Sequence, residues 1–276
     1  MPTSPLPRRG ASPRAPAAPA RSFRPFILLI FVLTALTVAI VALPASTVTH
    51  FLPAAVHAED FSGSVWHGSA GKITVNGRDA GALEWRLHPA ALLHLHLVAD
   101  LHWVKGGFVI DGTADAERGG LMASNIQGGG PIEDLRDFGL SPGWRGTAKV
   151  QVKELKAVFS SAQASLRSAV GDITLSELTS PQVAAGADLG GYSLHFADAA
   201  MTPDADATAE LTDTGGPLAL DAVIRFSVRE RRGTLTGTVK ERADVPAALH
   251  SQLDDLAQLH ARDAQGRIPV DLEFTL

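Results

Sequence analysis

The stretch LHLHLVADLHWV, residues 93–104, alternates apolar and polar side chains along its length. Leucine, alanine and tryptophan side chains share one parity, whereas His94, His96, Asp100 and His102 share the other. Successive side chains of a β-strand point to opposite faces. The pattern therefore predicts a strand with one buried face and one wetter face.

The same alternation recurs along most of the chain. It is clearest in LALDAVIRFSV at residues 218–228 and in RIPVDLEFTL at residues 267–276. Turn signals separate the candidate strands, and Asn76-Gly77 is typical of a tight hairpin turn. The other strand candidates are Val65–Val75, Ala82–Leu87, Thr147–Leu155, Asp172–Leu178, Tyr192–Phe196, Thr208–Leu211 and Thr234–Lys240.

Helical patterns are few. DVPAALHSQLDDLAQLH at residues 244–260 has a leucine stripe at helical spacing, and PIEDLRDFG at 131–139 favours a short helix between Pro131 and Gly139. VFSSAQASLRSAV at 158–170 is a further candidate. Because strands outnumber helices, we predict a mainly β fold, a long, curved antiparallel β-sheet with a few short helices.

The N-terminal part has a different composition. Residues 1–25 contain five arginines and no acid, and residues 26–43 carry no charge. A helix over 26–43 would span roughly 27 Å, close to the thickness of a membrane core. The apolar residues of this predicted anchor are Phe26, Ile27, Leu28, Leu29, Ile30, Phe31, Val32, Leu33, Val38, Ile40, Val41 and Leu43.

Charge predicts the orientation of this anchor. No lysine or arginine follows it until Lys72, so the positive-inside rule places the tail in the cytoplasm and the body outside it. We expect a disordered cytoplasmic tail over 1–25, a transmembrane helix over 26–43, a linker over 44–60 and a periplasmic β-rich domain over 61–276. The protein would be a single-pass protein of the inner (plasma) membrane.

A cleaved signal peptide is the competing interpretation of the N-terminal part. Val56 and Ala58 suit positions −3 and −1 of a cleavage site. The apolar run is longer than the usual ~7–15 residues of a signal peptide, and this site lies well beyond its end. Both points favour an uncleaved anchor.

Composition excludes several function classes. The net charge is −5 although the tail is basic, and an acidic body disfavours nucleic-acid binding. The chain contains no cysteine, which excludes disulfides, thiolate nucleophiles and cysteine metal sites.

Few residues suggest a catalytic or metal-binding site. His94 and His96 would face the same way on the predicted strand and could share a zinc ion, with His88 or a carboxylate as third ligand. The simpler interpretation is a row of polar side chains on a solvated face. The serines around His67 belong to no nucleophile elbow. The glycines of QGGGP, 127–131, lack the ending of a phosphate loop and are expected to form a flexible turn.

Two motifs resemble the type II secretion system protein N family. The family has G-x-[LV]-W-x-G soon after an N-terminal anchor and then W-x-[LF]-x-P-x-x-L-L. The later LGGYSLHF and the C-terminal LDDLAQLHARDAQGRIPVDLEFTL are similar to the family's glycine-tyrosine strand and its closing helix, loop and strand. The matching motif residues are Gly63, Val65, Trp66 and Gly68, then Trp85, Leu87, Pro89, Leu92 and Leu93.

The resemblance implies a non-catalytic, inner-membrane component of the machinery that exports folded proteins from the periplasm. Its partners would be other inner-membrane secretion subunits or the outer-membrane secretin, with no cofactor, metal or small-molecule substrate. The main alternative is a periplasmic lipid-binding, lipid-bridge-like protein that holds acyl chains on the apolar face of the curved sheet. A third is a zinc-dependent periplasmic enzyme that uses His94 and His96.

Overall fold

The computed structural model describes residues 42–117, 119–159, 164–181, 183, 186–197, 207–227, 232–243 and 245–275. Nearly all of these belong to one compact unit, Leu43–Leu276. The predicted tail lies outside the described residues, and so does the predicted anchor apart from Ala42 and Leu43. Among the described residues, we find no helix whose length and hydropathy would let it cross a membrane.

In the described part of the chain, thirteen strands form a single antiparallel sheet in which each strand pairs with its neighbours in sequence. A mainly β fold with one long antiparallel sheet is therefore confirmed. The strands are β1 Val56–Gly63, β2 His67–Val75, β3 Arg78–Leu87, β4 Leu97–Lys105, β5 Phe108–Glu117, β6 Gly120–Pro131, β7 Arg145–Phe159, β8 Ala164–Thr179, β9 Gly191–Phe196, β10 Ala207–Gly215, β11 Leu218–Ser227, β12 Arg232–Glu241 and β13 Ile268–Thr275.

Helices are short and few in the described part of the chain. Three 3-10 helices, Ala45–Phe51, Pro89–His94 and Ile132–Phe138, accompany one α-helix, α1, Ala247–Leu259. The helices predicted at 131–139 and 244–260 are confirmed. The one predicted at 158–170 is wrong, because residues 164–170 belong to β8 and pair with β7.

Glycines in β6 correct a second prediction. Gly128, Gly129 and Gly130 lie inside this strand and not in a flexible turn. Their φ angles of 153°, 152° and 154° favour glycine. A Cβ on Gly128 would overlap the carbonyl oxygen of Val109 in β5, and one on Gly129 would overlap that of Ala148 in β7. The missing side chains let β6 approach both neighbours closely.

The strand predicted over residues 93–104 begins only at Leu97. Pro89 starts a 3-10 helix, and Leu95 ends it in the left-handed conformation with φ 62°. Proline is preorganised for the first turn of a helix, so this local signal outweighs the alternation that follows it. From Leu97 onward the apolar side chains share one face as predicted, although Leu97 itself is 46% exposed.

The sheet has one apolar face and one polar face. On the polar face, histidines pair with aspartates of neighbouring strands, as in His102–Asp111 and His195–Asp172, both 2.7 Å apart. On the apolar face, α1 and the third 3-10 helix cover part of the sheet. The buried residues of that core are Phe108, Ile132, Ala148, Leu178, Leu189, Val239, Leu249, Leu253 and Ile268.

Candidate functional site

The two halves of the sequence motif meet at one end of strands β1–β3. The indole Nε1–H of Trp85 donates to the carbonyl oxygen of Val65 at 2.8 Å. The backbone N–H of Leu87 donates to the carbonyl oxygen of Trp66, also at 2.8 Å. Gly68 in β2 lies directly opposite Trp85 in β3. Segments that are twenty residues apart thus form one unit, which we call the motif corner, Gly63–Gly68 with Trp85–Leu87.

Close approach explains the glycines of the motif corner. Gly63 has φ 79°, and a Cβ there would overlap the carbonyl oxygen of His67. A Cβ on Gly68 would lie 2.6 Å from the Ser64 carbonyl oxygen and 2.6 Å from the Trp85 ring. Side chains cannot be added at either position without moving backbone or indole, so these residues have a structural reason to be glycine.

The chain reaches the sheet at the motif corner. The backbone N–H of Val65 donates to the carbonyl oxygen of Leu43 at 2.9 Å, and Pro44 forms a β-bridge with Ser64. Leu43 is the last residue of the predicted anchor. Whatever precedes Leu43 therefore joins the body at this end of the strands.

The second half of the motif continues into an exposed segment. Pro89 is at the start of the second 3-10 helix, and Leu92 and Leu93 are 40% and 84% exposed. Leu95 and Leu97 are exposed as well, although the alternation predicts Leu93, Leu95 and Leu97 on the buried face. Pro89 was the signal that could have revealed it.

An apolar cavity of about 460 Å³ lies under the first 3-10 helix, between it and strands β1–β4. The rings of Trp85 and Phe61 meet edge to face there, with centroids 6.4 Å apart. We call it the N-terminal cavity. Every lining residue is apolar: Val48, Leu52, Val56, Ala58, Phe61, Val65, Ala70, Ile73, Leu83, Trp85, Leu87, Leu97, Ala99 and Leu101.

A second cavity of about 440 Å³ separates α1 and the third 3-10 helix from strands β8–β11. Its lining is apolar apart from Tyr192, whose hydroxyl donates to the Leu189 carbonyl oxygen at 3.0 Å. Burial raises the pKa of Tyr192, and the nearby carboxylate of Asp213 raises it further. This phenol is therefore a neutral, hydrogen-bonded part of the core.

The polar face of the motif corner carries a groove around His67. The hydroxyls of Ser62 and Ser69 bond to each other at 2.8 Å, and the Ser64 hydroxyl accepts the backbone N–H of His67 at 3.2 Å. Among the described residues of this groove, no serine hydroxyl bonds to a histidine ring. A hydrogen bond from His88 lowers the pKa of Asp100. These contacts hold strands together and do not pair a nucleophile with a base.

The structure does not bring His94 and His96 together. His94 is on the 3-10 helix, whereas the Nδ1 of His96 lies 3.3 Å from Asp115 and 3.9 Å from Glu117. The prediction that His94 and His96 face the same way on one strand, and could share a zinc ion there, is therefore wrong. His88, the proposed third ligand, bonds to Asp100 at 2.8 Å.

Two described clusters could geometrically hold a cation: His96 with Asp115 and Glu117, and His250 with Glu241 and Asp254. Each is made of a histidine ion-paired with carboxylates, as elsewhere on the polar face. Such pairs are sufficient to explain both clusters without a metal.

Comparison with protein-family models matches the chain to one family. The model of the type II secretion system (T2SS), protein N, matches residues 54–271, from just before β1 into β13. The chain belongs to the type II secretion system protein N family. No curated protein and no solved structure matches the chain. The protein N match includes the motif corner, the second cavity, nearly the whole sheet and all of the N-terminal cavity's lining except Val48 and Leu52.

Proposed function

We propose that this chain is a non-catalytic, membrane-anchored component of the type II secretion machinery that acts through its β-sheet body in assembly or partner contacts. The match of residues 54–271 to protein N carries the proposal. The predicted anchor places the body in the periplasm, and the partners are other inner-membrane secretion subunits or the outer-membrane secretin.

The geometry of the motif corner is consistent with a scaffolding role. Hydrogen bonds and close packing explain its tryptophan and glycines, which need no catalytic role. The hydrogen bond from Val65 to Leu43 and the β-bridge between Pro44 and Ser64 couple the sheet to the end of the predicted anchor.

Deletion of the gene tests the proposal. Secreted proteins should accumulate in the periplasm, and the full chain should restore their export. A version in which an unrelated single membrane span replaces residues 1–41 keeps Leu43 and Pro44 in the sheet and should also restore it. Unchanged export in the deletion strain would refute the proposal.

A second candidate function, binding of a lipid acyl chain, is favoured by the N-terminal cavity. Its volume of about 460 Å³ and purely apolar lining suit an aliphatic chain. Ala99→Phe would fill part of this cavity. Lipid that co-purifies with the full chain and is lost in this variant would support the second candidate, whereas secretion subunits captured by both forms would favour the first.

A further inference from the structure

Leucines are unusually exposed between the second 3-10 helix and β4. Leu93 and Leu95 are 84% and 89% exposed, and Leu92 and Leu97 are 40% and 46% exposed. We call residues 92–97 the leucine loop. Single exposed leucines are common, but adjacent ones form a patch that typically marks an interaction site. Burying such side chains away from water is favourable, and in the body alone these leucines remain exposed.

The backbone holds these leucines outward. Leu95 adopts φ 62° and ψ 27°, a left-handed conformation that is unfavourable for a residue with a Cβ. Its N–H donates to the Leu92 carbonyl oxygen at 3.0 Å, and that of His96 donates to the Ala91 carbonyl oxygen at 3.2 Å. The exposure therefore belongs to a hydrogen-bonded turn.

The leucine loop lies at the end of the strands where the chain arrives. In an antiparallel meander, the β1–β2 and β3–β4 connections share one end of the sheet. The bond from Val65 to Leu43 fixes the first connection, and the bond from Leu87 to Trp66 joins the second to it. Leu43, the final residue of the predicted anchor, is thus at the same end of the sheet as the leucine loop.

Exposed apolar side chains are concentrated at this end of the sheet. Besides Leu43 and the leucine loop, they include Val158 at the end of β7 and Leu272 and Phe274 in the second half of β13. By contrast, the opposite ends of β2–β5 carry the Lys105 ion pairs with Asp79 and Asp137. Among the large hydrophobic residues described as exposed, Phe138 alone is at that opposite end, where it packs against Trp103.

We infer that the leucine loop inserts into the interfacial layer of the membrane that holds the anchor, so that the body contacts lipid beside its point of attachment. The inference rests on the anchor in the proposed function. Electrostatics agrees with this, because residues 89–95 contain no carboxylate and the nearby acids Asp100, Asp115 and Glu117 are paired with His88 or His96.

The absence of cysteine allows a direct test on the full chain. Single cysteines at Leu93 and Leu95 would carry an environment-sensitive fluorophore in nanodiscs that contain spin-labelled phospholipid. Ala54→Cys is the matched control, since Ala54 is also exposed but precedes β1 at the opposite end of the strands. We expect blue-shifted emission and strong lipid quenching at Leu93 and Leu95, and neither at Ala54.

Other outcomes overturn the inference in distinguishable ways. Emission at Leu93 and Leu95 as water-like as at Ala54, from chain that has incorporated into nanodiscs, refutes the lipid contact and leaves the secretion role intact. A blue shift at Leu93 and Leu95 that appears only when secretion subunits are added would show that a protein covers the loop. This result would also refute the lipid contact. A full chain that does not incorporate at all refutes the anchor and this inference together.

Discussion

Gly129→Ala tests the close packing of β6 between its neighbours. At φ 152°, a Cβ on Gly129 would overlap the carbonyl oxygen of Ala148 in β7. The matched control is Gly215→Ala at the end of β10, where φ is 136° but a Cβ would meet nothing within 4 Å. Both substitutions impose an unfavourable backbone angle, and only the first adds a collision.

The difference in cost follows from that geometry. Holding alanine in this region of φ costs ~1–3 kcal/mol at either position. At Gly129, β7 must also move by roughly an ångström, which weakens the ladder bonds on both sides of the contact. Two such bonds, at ~0.5–1.5 kcal/mol each, add about 2 kcal/mol to the loss in free energy of unfolding.

Thermal unfolding of the full chain in detergent, followed by far-ultraviolet circular dichroism, measures this difference. For a body of this size, about 2 kcal/mol corresponds to a melting temperature roughly 4–8 °C lower for Gly129→Ala than for Gly215→Ala. Equal melting temperatures for the two variants would show that β6 and β7 are not packed as closely as described, and would refute the reasoning.

Two further predictions concern charged groups. Burial alone would lower the pKa of Lys105, but hydrogen bonds with Asp137 and Asp79 outweigh this effect and leave the pKa raised. Because Lys105→Met removes these hydrogen bonds, it should lower the free energy of unfolding by ~1–3 kcal/mol. Lys156→Met, which removes only an exposed ion pair with Glu154, should cost under ~1 kcal/mol, and an equal loss in urea titrations would contradict this. The lowered pKa of Asp100, caused first by His88, contributes stability above the unfolded-state pKa of about 4 that is lost as pH falls through the folded-state value. The melting temperature of Asp100→Asn should accordingly fall less between neutral pH and about pH 3 than that of the natural chain. An identical fall would show that the pairing of Asp100 with His88 does not contribute to stability.

Alternation predicted the strands wherever large apolar residues supply one face. β11 and β13 coincide with the patterns at 218–228 and 267–276, and the turn at Asn76-Gly77 joins β2 to β3 as expected. These segments carry their own hydrophobic signal, so no knowledge of neighbouring strands is needed to recognise them.

The same reasoning failed where pairing partners decide the structure. β6 includes three consecutive glycines, which have no side chains to alternate, and its extended form depends on the backbones of β5 and β7. β5, FVIDGTADAE, is rich in small residues and was also missed. Neither strand can be inferred from its own residues alone.

The candidate site was predictable in part. The motif residues were identified from sequence, but their meeting through Trp85 and Val65 depends on the register between β2 and β3, which no local pattern specifies. The leucine loop was assigned to a buried strand face because periodicity cannot tell a leucine that packs from one that is held in solvent.

The strictly sequential pairing of β1 to β13 has a consequence for how the body is made. Each strand needs only the strand before it as a template, so every hairpin can close as soon as its second strand is available. If the chain is delivered from its N-terminal end, as in translocation through a narrow channel, its strands can therefore pair one after another. The motif corner would form first. α1 and β13 follow the other strands in the chain, so the cover that α1 gives to part of the apolar face forms after the first twelve strands.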